Sequence, residues 1–345
     1  MHKSPQDFFH LDEIRQIINH FPSASSEHIQ RFYERDRQLT KPSGALGKLE
    51  EIAAWFVGWR NQYPPNLQHP RVAVFAGNHG ISRHQVSAYP SAVTHQMVQN
   101  FVQGGGAINQ LCQEFDADLR VYEMALEQGT ADFSQSPAMT AEECVRSFAY
   151  GMMAVEPGVD LLCLGEMGIG NSSAAAALCF GIFGGNAKDW VGYGTGIDQA
   201  AWLRKVNLVE QAIKLHKNQA TDGFDWMQHV GGMELAAIAG AIIAARLARI
   251  PVILDGFACT AAASVLYAYH PSALDHCIVA HQSSEPGHKL LLQKIQKTAM
   301  LDFNLRLGEG SGAALMIPII KAALACHNGM ATFAEASVSA KINKE

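Results

Sequence analysis

The chain has 345 residues, enough for one large domain or two modest ones with a substantial buried core. Hydrophobic residues make up 48% and charged residues 17%, with Ala and Gly abundant, a balance that suits closely packed helices and sheets. A formal net charge of -6 provides no positive field for a nucleic-acid backbone, so nucleic acid is not an expected partner and any bound phosphate is a small one.

Residues 1 to about 65 read as helices with polar faces, as in SSEHIQRFYERDRQL, and end in the proline-rich NQYPPNLQHP, where a boundary is expected. The opening MHKSPQDFFHLDEIRQIINHF is charged every few residues and lacks the apolar core of a signal peptide, so a cytoplasmic protein is expected. Short apolar runs follow: Val72 to Ala76, Leu119 to Tyr122, Leu161 to Leu164, Val252 to Leu254 and Cys277 to Ala280. Each leads within a few residues to Gly, Ser or Asn and then to an Ala-rich helical segment, the alternation of βαβ units around a parallel sheet. The most apolar stretch, Leu235 to Leu254, is interrupted by Arg246, Arg249 and Pro251, so it is expected as a buried helix running into a strand, and no membrane is an expected partner. Seven cysteines form no CxxC pair and are odd in number, which favours reduced thiols over a disulfide framework or a zinc site.

In open parallel sheets, ligands bind beyond the carboxyl ends of the strands. The loops to search are therefore AGNHGIS (76–82), GEMGIGNSS (165–173), DGFACTAAA (255–263), AHQSSEPGH (280–288) and, by composition, GYGTGID (192–198). Gly165, Gly168 and Gly170 precede Asn171, Ser172, Ser173 and an alanine-rich helix. Such glycines let backbone N–H groups approach an anion at a helix N-terminus, but the same residues also make an ordinary β-to-α turn capped by Asn171 or Ser172. The loop is neither GxGxxG nor GxxxxGK[ST]. Lys205, about two helical turns after Asp198, either lends its ammonium to that anion or faces solvent. In VILDGFACTAAA, Gly256 stands where a diphosphate-ribose loop needs a second acid, so a metal-bound diphosphate donor is disfavoured and a sugar monophosphate fits. No HExxH or similar pair occurs, and His79, His281 and His288 are expected as hydrogen-bonded loop residues rather than ligands or bases. Aromatic residues are too few and scattered for a platform that stacks single-stranded bases.

LRLGEGSGAAL places one carboxylate, Glu309, between glycines and before an apolar run. One reading is a carboxylate held at a helix N-terminus by the macrodipole. The other is a general base whose pKa is raised by Leu305, Leu307 and Leu315, while Gly308 and Gly310 let a flat substrate approach. Glu166 would then be its partner acid or hydrogen-bonding group.

TKPSGALGKLE, GNHGIS, VSAYPSAVTHQMVQNFVQGGGAIN, GEMGIGNSS, GTGID, HVGGMELAAIAGAII, ILDGFACTAAA, AHQSSEPGHK and LRLGEGSGAAL span about residue 40 to residue 325. Their residues and order resemble the nicotinate-nucleotide:dimethylbenzimidazole phosphoribosyltransferase family of cobalamin lower-ligand activation. The resemblance implies transfer of 5-phosphoribose from nicotinate mononucleotide to 5,6-dimethylbenzimidazole or a related base, with inversion at C1 and no cofactor or metal, giving α-ribazole phosphate and nicotinate. It implies that Glu309 takes the imidazole proton and that Glu166 is a second catalytic glutamate. Gly168, Gly194, Thr195, Gly196, Lys205 and Ser283 would hold the phosphoribosyl group, and Ser87, Gln96, Leu307 and Gly308 would border the base. Asn78 stands where many members carry Asp, a departure that bears on any charge-based role for that loop. The implied architecture is α/β: a Rossmann-like parallel sheet flanked by helices over residues 66–319, a small helical domain from residues 1–65 and about 320–345, and a homodimer. An enzyme of the same fold acting on adenine or a phenol stays open. A non-catalytic nucleotide sensor would need the glycine loops but not Glu309, and an NAD-dependent oxidoreductase would need the missing GxGxxG followed by a distant acid.

Overall fold

The computed structural model describes residues 10–194 and 196–339. Helices α1 (Leu11–Ile18), α2 (Ser26–Asp36) and α3 (Lys48–Arg60) precede strand β1 (Pro70–Gly77). Helices α4 (Ala92–Val102) and α5 (Ala107–Phe115) then lead to β2 (Asp118–Met124), and α6 (Ala141–Met152) leads to β3 (Leu161–Met167). A helical excursion follows, with α7 (Asn171–Phe183), α8 (Ala187–Trp190), α9 (Gln199–His216), α10 (Gly223–Val230) and α11 (Met233–Leu247). The chain returns through β4 (Val252–Leu254), α12 (Phe257–Tyr269), β5 (Cys277–His281), α13 (Pro286–Lys294), β6 (Ala299–Leu301) and α14 (Ser311–Gly329).

The starts of these helices follow local chemistry. Thr140 and Glu143 cap α6 reciprocally, Thr140 Oγ1 accepting from the Glu143 N–H at 3.1 Å and Glu143 Oε2 from the Thr140 N–H at 2.7 Å. Asp198 opens α9 by accepting from the Ala201 N–H at 2.8 Å. At α7 the expected cap is corrected: Gly170, with φ of 100°, occupies that position, and Asn171 is already the first helical residue. The turn from Gly168 needs a left-handed residue just before the helix, which only glycine adopts without strain.

All strand pairings are parallel, in the order β2-β1-β3-β4-β5-β6. The expected apolar runs are β1 to β5; β6 is an addition, a three-residue edge strand paired with β5 through Val279 and Ala299. Side chains alternate across the sheet with the period of two that strands impose. Ala73, Phe75, Leu162, Leu164, Val252, Leu254 and Val279 face one core with α6, α7 and α10 to α12. Val72, Val74, Leu161, Cys163, Ile253, Ile278 and Ala280 face the other core with α3, α5 and α14. Small residues set the approach of α6 to α11: a β-carbon on Gly240 would fall on the Phe148 carbonyl, and one on Gly151 on the Ala237 carbonyl.

Helix α1 joins the first core through Ile14 and Ile18, and α2 and α3 join the second through Phe32, Ile52 and Phe56. The small-domain boundary near residue 65 is therefore a proposal about sequence organisation, and its residues 1–9 and 340–345 lie outside the described ones. Among the described residues no helix is long and apolar enough to cross a membrane. The strand order reverses between β1 and β3, since one connection from β1 runs outward to β2 and the next returns to its other side. Crevices for ligands open at such reversals, beyond the carboxyl ends of the strands.

Candidate active site

Two cavities flank the reversal. The larger, about 590 Å3, lies over the loop after β1 and is lined by Asn78, His79, Ser87 and the 126–130 segment. The smaller, about 110 Å3, lies where the loops after β3, β4 and β5 meet the segment before α14. The smaller one has Glu166, His281, Glu285 and Arg306 in its lining. Its lining brings together Glu166, Gly168, Gly194, Ser283, Leu307 and Gly308 from separate stretches of chain.

Glu309 follows directly, and its position is set by glycines. Gly308, Glu309 and Gly310 have φ of 81°, 62° and 78°, a left-handed run that turns the chain sharply into α14. A non-glycine residue in that region costs roughly 1–2 kcal/mol. The Glu309 N–H donates to the Glu166 carbonyl at 3.0 Å, and Ser311 Oγ donates back to the Gly308 carbonyl at 2.7 Å. A β-carbon on Gly308 would land on the Glu166 carboxylate, and one on Gly165 would stand 2.6 Å from the Glu309 carbonyl carbon. The glycines thus bring two acidic residues, 143 positions apart in sequence (309 minus 166), beside each other, Glu166 in the cavity lining and Glu309 next to the lining Gly308.

Asp255, at the end of β4, anchors that turn. Its Oδ2 accepts from the Gly310 N–H at 3.1 Å and its Oδ1 from the Ala313 N–H at 3.0 Å, satisfying free amides at the start of α14. Its charge also acts on its neighbours. Burial, reinforced by Asp255, raises Glu309 to about 7. Burial raises Glu166 to about 8, with Asp255, Glu234 and Glu309 adding to it and a hydrogen bond from Asn171 Nδ2 opposing it. Near neutral pH, Glu309 is therefore poised between its two forms while Glu166 is mostly a neutral carboxyl.

Ser172 and Gly194 also line this cavity, with Lys205 held against them. Lys205 of α9 is only 1% exposed, so it is no surface lysine. Its Nζ donates to Ser172 Oγ at 2.9 Å, in the first turn of α7, and to the Gly192 carbonyl at 3.3 Å. Burial pulls its pKa down to about 8, against the pull of Glu285. Gly194, with φ of 54°, lies so close that a β-carbon there would stand 3.3 Å from Ser172 Oγ and 3.7 Å from Lys205 Nζ. A helix N-terminus, a hydroxyl, an ammonium and a glycine loop converge there, which is the equipment for a small phosphate.

The histidines keep to hydrogen bonding. His79 Nε2 lies 2.7 Å from Glu234 Oε1, both side chains fully buried. His288 accepts from the Ser283 N–H through Nδ1 at 2.9 Å, so its proton sits on Nε2, 3.1 Å from Thr260 Oγ1; burial pushes its pKa down to about 3. That neutral ring fixes the Ser283 loop. His281 lies 3.5 Å from Asp255, and although burial opposes a charge on the ring, the aspartate outweighs it and raises the pKa. Among the described residues no cluster of three or more His, Cys, Asp or Glu is arranged to hold a metal ion.

Other expected residues fall outside the smaller cavity. Ser87 lines the larger cavity, and Gln96 is exposed on α4 and lines neither. Gly196 is exposed beyond the cradle, and Thr195 lies outside the described residues. Asn78 donates from Nδ2 to the Leu126 carbonyl at 2.8 Å, a loop tie that needs no charge. Glu285 and Arg306 in the lining, and Glu234 and Asp255 acting on its Glu166, were not singled out from the sequence, and Asn171 was expected only as a helix cap. Asp255 had one legible signal, an acid at a strand end, but its partners are amides of a segment more than fifty residues later.

A phosphoribosyltransferase family model matches residues 21–338. The chain is 50% identical over 331 residues to nicotinate-nucleotide–dimethylbenzimidazole phosphoribosyltransferase of Rhizobium meliloti (strain 1021), covering 96% of this chain and 98% of the relative. The protein of that name from Methylocella silvestris is 51% identical over 332 residues, covering 96% and 97%. Among solved structures, CobT from Thermus thermophilus superimposes with a TM-score of 0.85 at 39% identity, covering 91% of this chain and 99% of that one.

Proposed function

The chain belongs to the phosphoribosyltransferase family of these relatives, and from that premise we propose that it transfers 5-phosphoribose from nicotinate mononucleotide to 5,6-dimethylbenzimidazole or a close analogue. A ring nitrogen of the benzimidazole attacks C1 of the ribose from the face opposite the nicotinate. The C1–nitrogen bond to the pyridinium ring breaks, and its electron pair stays on the departing nicotinate, which leaves as a neutral pyridine nitrogen. Attack from the far face inverts C1, so the β-linked substrate gives α-ribazole phosphate. The proton on the other imidazole nitrogen passes to the Glu309 carboxylate.

The observation that carries this reading is the poise of Glu309, held by a glycine turn next to the cavity-lining Gly308, with a pKa raised to about 7. A carboxylate near neutrality is matched to taking an azole proton at physiological pH. Glu166, mostly a neutral carboxyl, serves as hydrogen-bond donor to the reacting partners. The cradle of Lys205, Ser172 and Gly194 holds the 5-phosphate, and Ser283 and Gly168 border the ribose. Leu307 and Gly308, which line the cavity, border the base, and the family resemblance adds Ser87 and Gln96 to that slot. Because the leaving nitrogen starts as a pyridinium, the enzyme's task is positioning and one proton transfer. We further assign it, as the family resemblance does, to the cytoplasm and to a homodimer.

The test is to mix the purified protein with nicotinate mononucleotide and 5,6-dimethylbenzimidazole and follow nicotinate and α-ribazole phosphate by chromatography, for wild type and Glu309→Ala. Product from wild type and very little from a folded variant is expected. No product with this base or with a panel of purines and phenols would refute the reading.

A further inference from the structure

Glu285 stands at the junction of the anion cradle and has no part in the chemistry above. It is the N-cap residue of α13, its backbone N–H donates to Ser283 Oγ at 3.3 Å, and its side chain lines the smaller cavity. Oε1 accepts from the Gly194 N–H at 2.8 Å, the hydrogen bond that fixes the 192–194 loop from outside. Oε2 is buried and has no hydrogen-bond partner among the described residues. It fills the notch that Gly192 leaves open, where a β-carbon would overlap it. A buried carboxylate oxygen without a donor is costly, so a purely structural tie would be better served by an amide.

That oxygen's unscreened charge has a target. Lys205 is buried, and the elements packed on it bring the neutral groups Ser172 from α7 and Gly192 from the loop; Asp198 lies two turns away on its own helix. Glu285 is the charged group whose field acts on the ammonium, raising a pKa that burial has lowered. We propose that Glu285 is a positioning residue for the phosphate cradle, setting the Gly192–Gly194 loop through the Gly194 N–H and keeping the Lys205 ammonium charged for the incoming phosphate. The proposal rests on the reading of that cradle as the phosphoribosyl site.

Because a phosphate dianion is repelled by Glu285 but attracted by Lys205, the two effects separate with pH. With Lys205 charged in both proteins, Glu285→Gln should bind phosphate as well as wild type or tighter, since repulsion is lost and the Gln oxygen still accepts from Gly194. At higher pH the variant's Lys205 loses its proton earlier, so its binding should fall first.

The experiment measures the Kd of ribose 5-phosphate by calorimetry from neutral to about pH 9.5, a range in which the phosphate stays a dianion because its second pKa is about 6. Wild type, Glu285→Gln, Glu285→Ala and Lys205→Met are compared in the full-length protein, with melting curves to establish folding. The expected result is an alkaline loss of binding that moves down by about half a pH unit in Glu285→Gln, about threefold in Kd above the transition, and is absent in Lys205→Met. Glu285→Ala should show the same displacement, and in the transfer reaction a raised KM for nicotinate mononucleotide with little change in kcat. An alkaline limb that stays in its wild-type place in a folded Glu285→Gln protein overturns the proposal. So does ribose 5-phosphate binding that Lys205→Met leaves unchanged, which would also remove the cradle. A wild type that binds ribose 5-phosphate through Lys205 yet transfers nothing would instead sink the reaction, and the Glu285 comparison would still be decided by the binding curves.

Discussion

Replacing Glu309 by Gln keeps the size of the side chain and removes its basicity. With the carboxyl at about 7, activity that requires its ionised form should climb as pH rises through that value. One unit below the midpoint only about a tenth of the enzyme is competent. If Glu166 must stay protonated to donate, the same profile should fall as pH passes about 8, leaving a narrow maximum between the two. The two carboxyls sit on adjoining segments and the charge of Glu309 raises Glu166, so the limbs belong to the pair. General-base assistance is worth about 10²- to 10⁴-fold, which is about 3–5 kcal/mol of barrier. The assay is kcat/KM for nicotinate release across the pH range at saturating 5,6-dimethylbenzimidazole. Glu309→Gln should lose that factor and the ascending limb together. A variant within tenfold of wild type, or one that is slow but retains the limb, would refute the general-base argument.

The same carboxyl makes a stability prediction of opposite sense. A carboxyl raised from 4.5 to about 7 favours the folded state only while protonated, so its contribution is intact below the unfolded value and is lost as pH rises through about 7. At pH values above that window Glu309→Gln should be more stable than wild type, on the order of 2–3 kcal/mol, with the difference vanishing in acid; equal urea midpoints at high pH would contradict this. Asp255→Asn leaves one of two helix-start amides without its acceptor and removes a charge that raises both glutamates. It should cost about 1–3 kcal/mol and shift the ascending limb of activity to lower pH; a limb that stays in place would show that Asp255 does not tune the site. Gly308→Ala combines a φ of 81° with a β-carbon on the Glu166 carboxylate, so activity should collapse and stability fall by about 2 kcal/mol or more. Gly240→Ala presses on the Phe148 backbone far from the cavity and should lower the melting temperature, by about 1–3 kcal/mol of stability, while kcat at low temperature is kept.

The sequence by itself determined what depends on neighbours along the chain. Runs such as Leu161 to Leu164 are buried on both faces of a parallel sheet, and an apolar run followed by glycine and an alanine helix has few other uses. Gly308 and Gly310 around Glu309 were equally legible, because a left-handed turn needs glycine locally. Strand β6 was not: a three-residue edge strand has too few residues to show a pattern, and only pairing with β5 makes Ala299–Leu301 extended. Nor could the alanine helix reveal its own cap, since Asn171 and Ser172 are both good caps and the choice of Gly170 follows from where Gly168 must sit against the Gly77 carbonyl.

Beyond the raised Glu309 already expected from its apolar neighbours, the site's electrostatics were decided by tertiary structure. The residues around Lys205 leave open whether its ammonium meets an anion or faces solvent, and only the closing of α7 and the 192–194 loop over it decides that it is buried. Glu166, Glu234, Asp255 and Glu309 are separated by tens of residues, and only the strand order brings them beside one crevice, where the loss of water and their mutual repulsion raise Glu166 and Glu309. Charge interactions depend on distance through space and on the surrounding dielectric. Neither quantity is written in the order of residues along the chain.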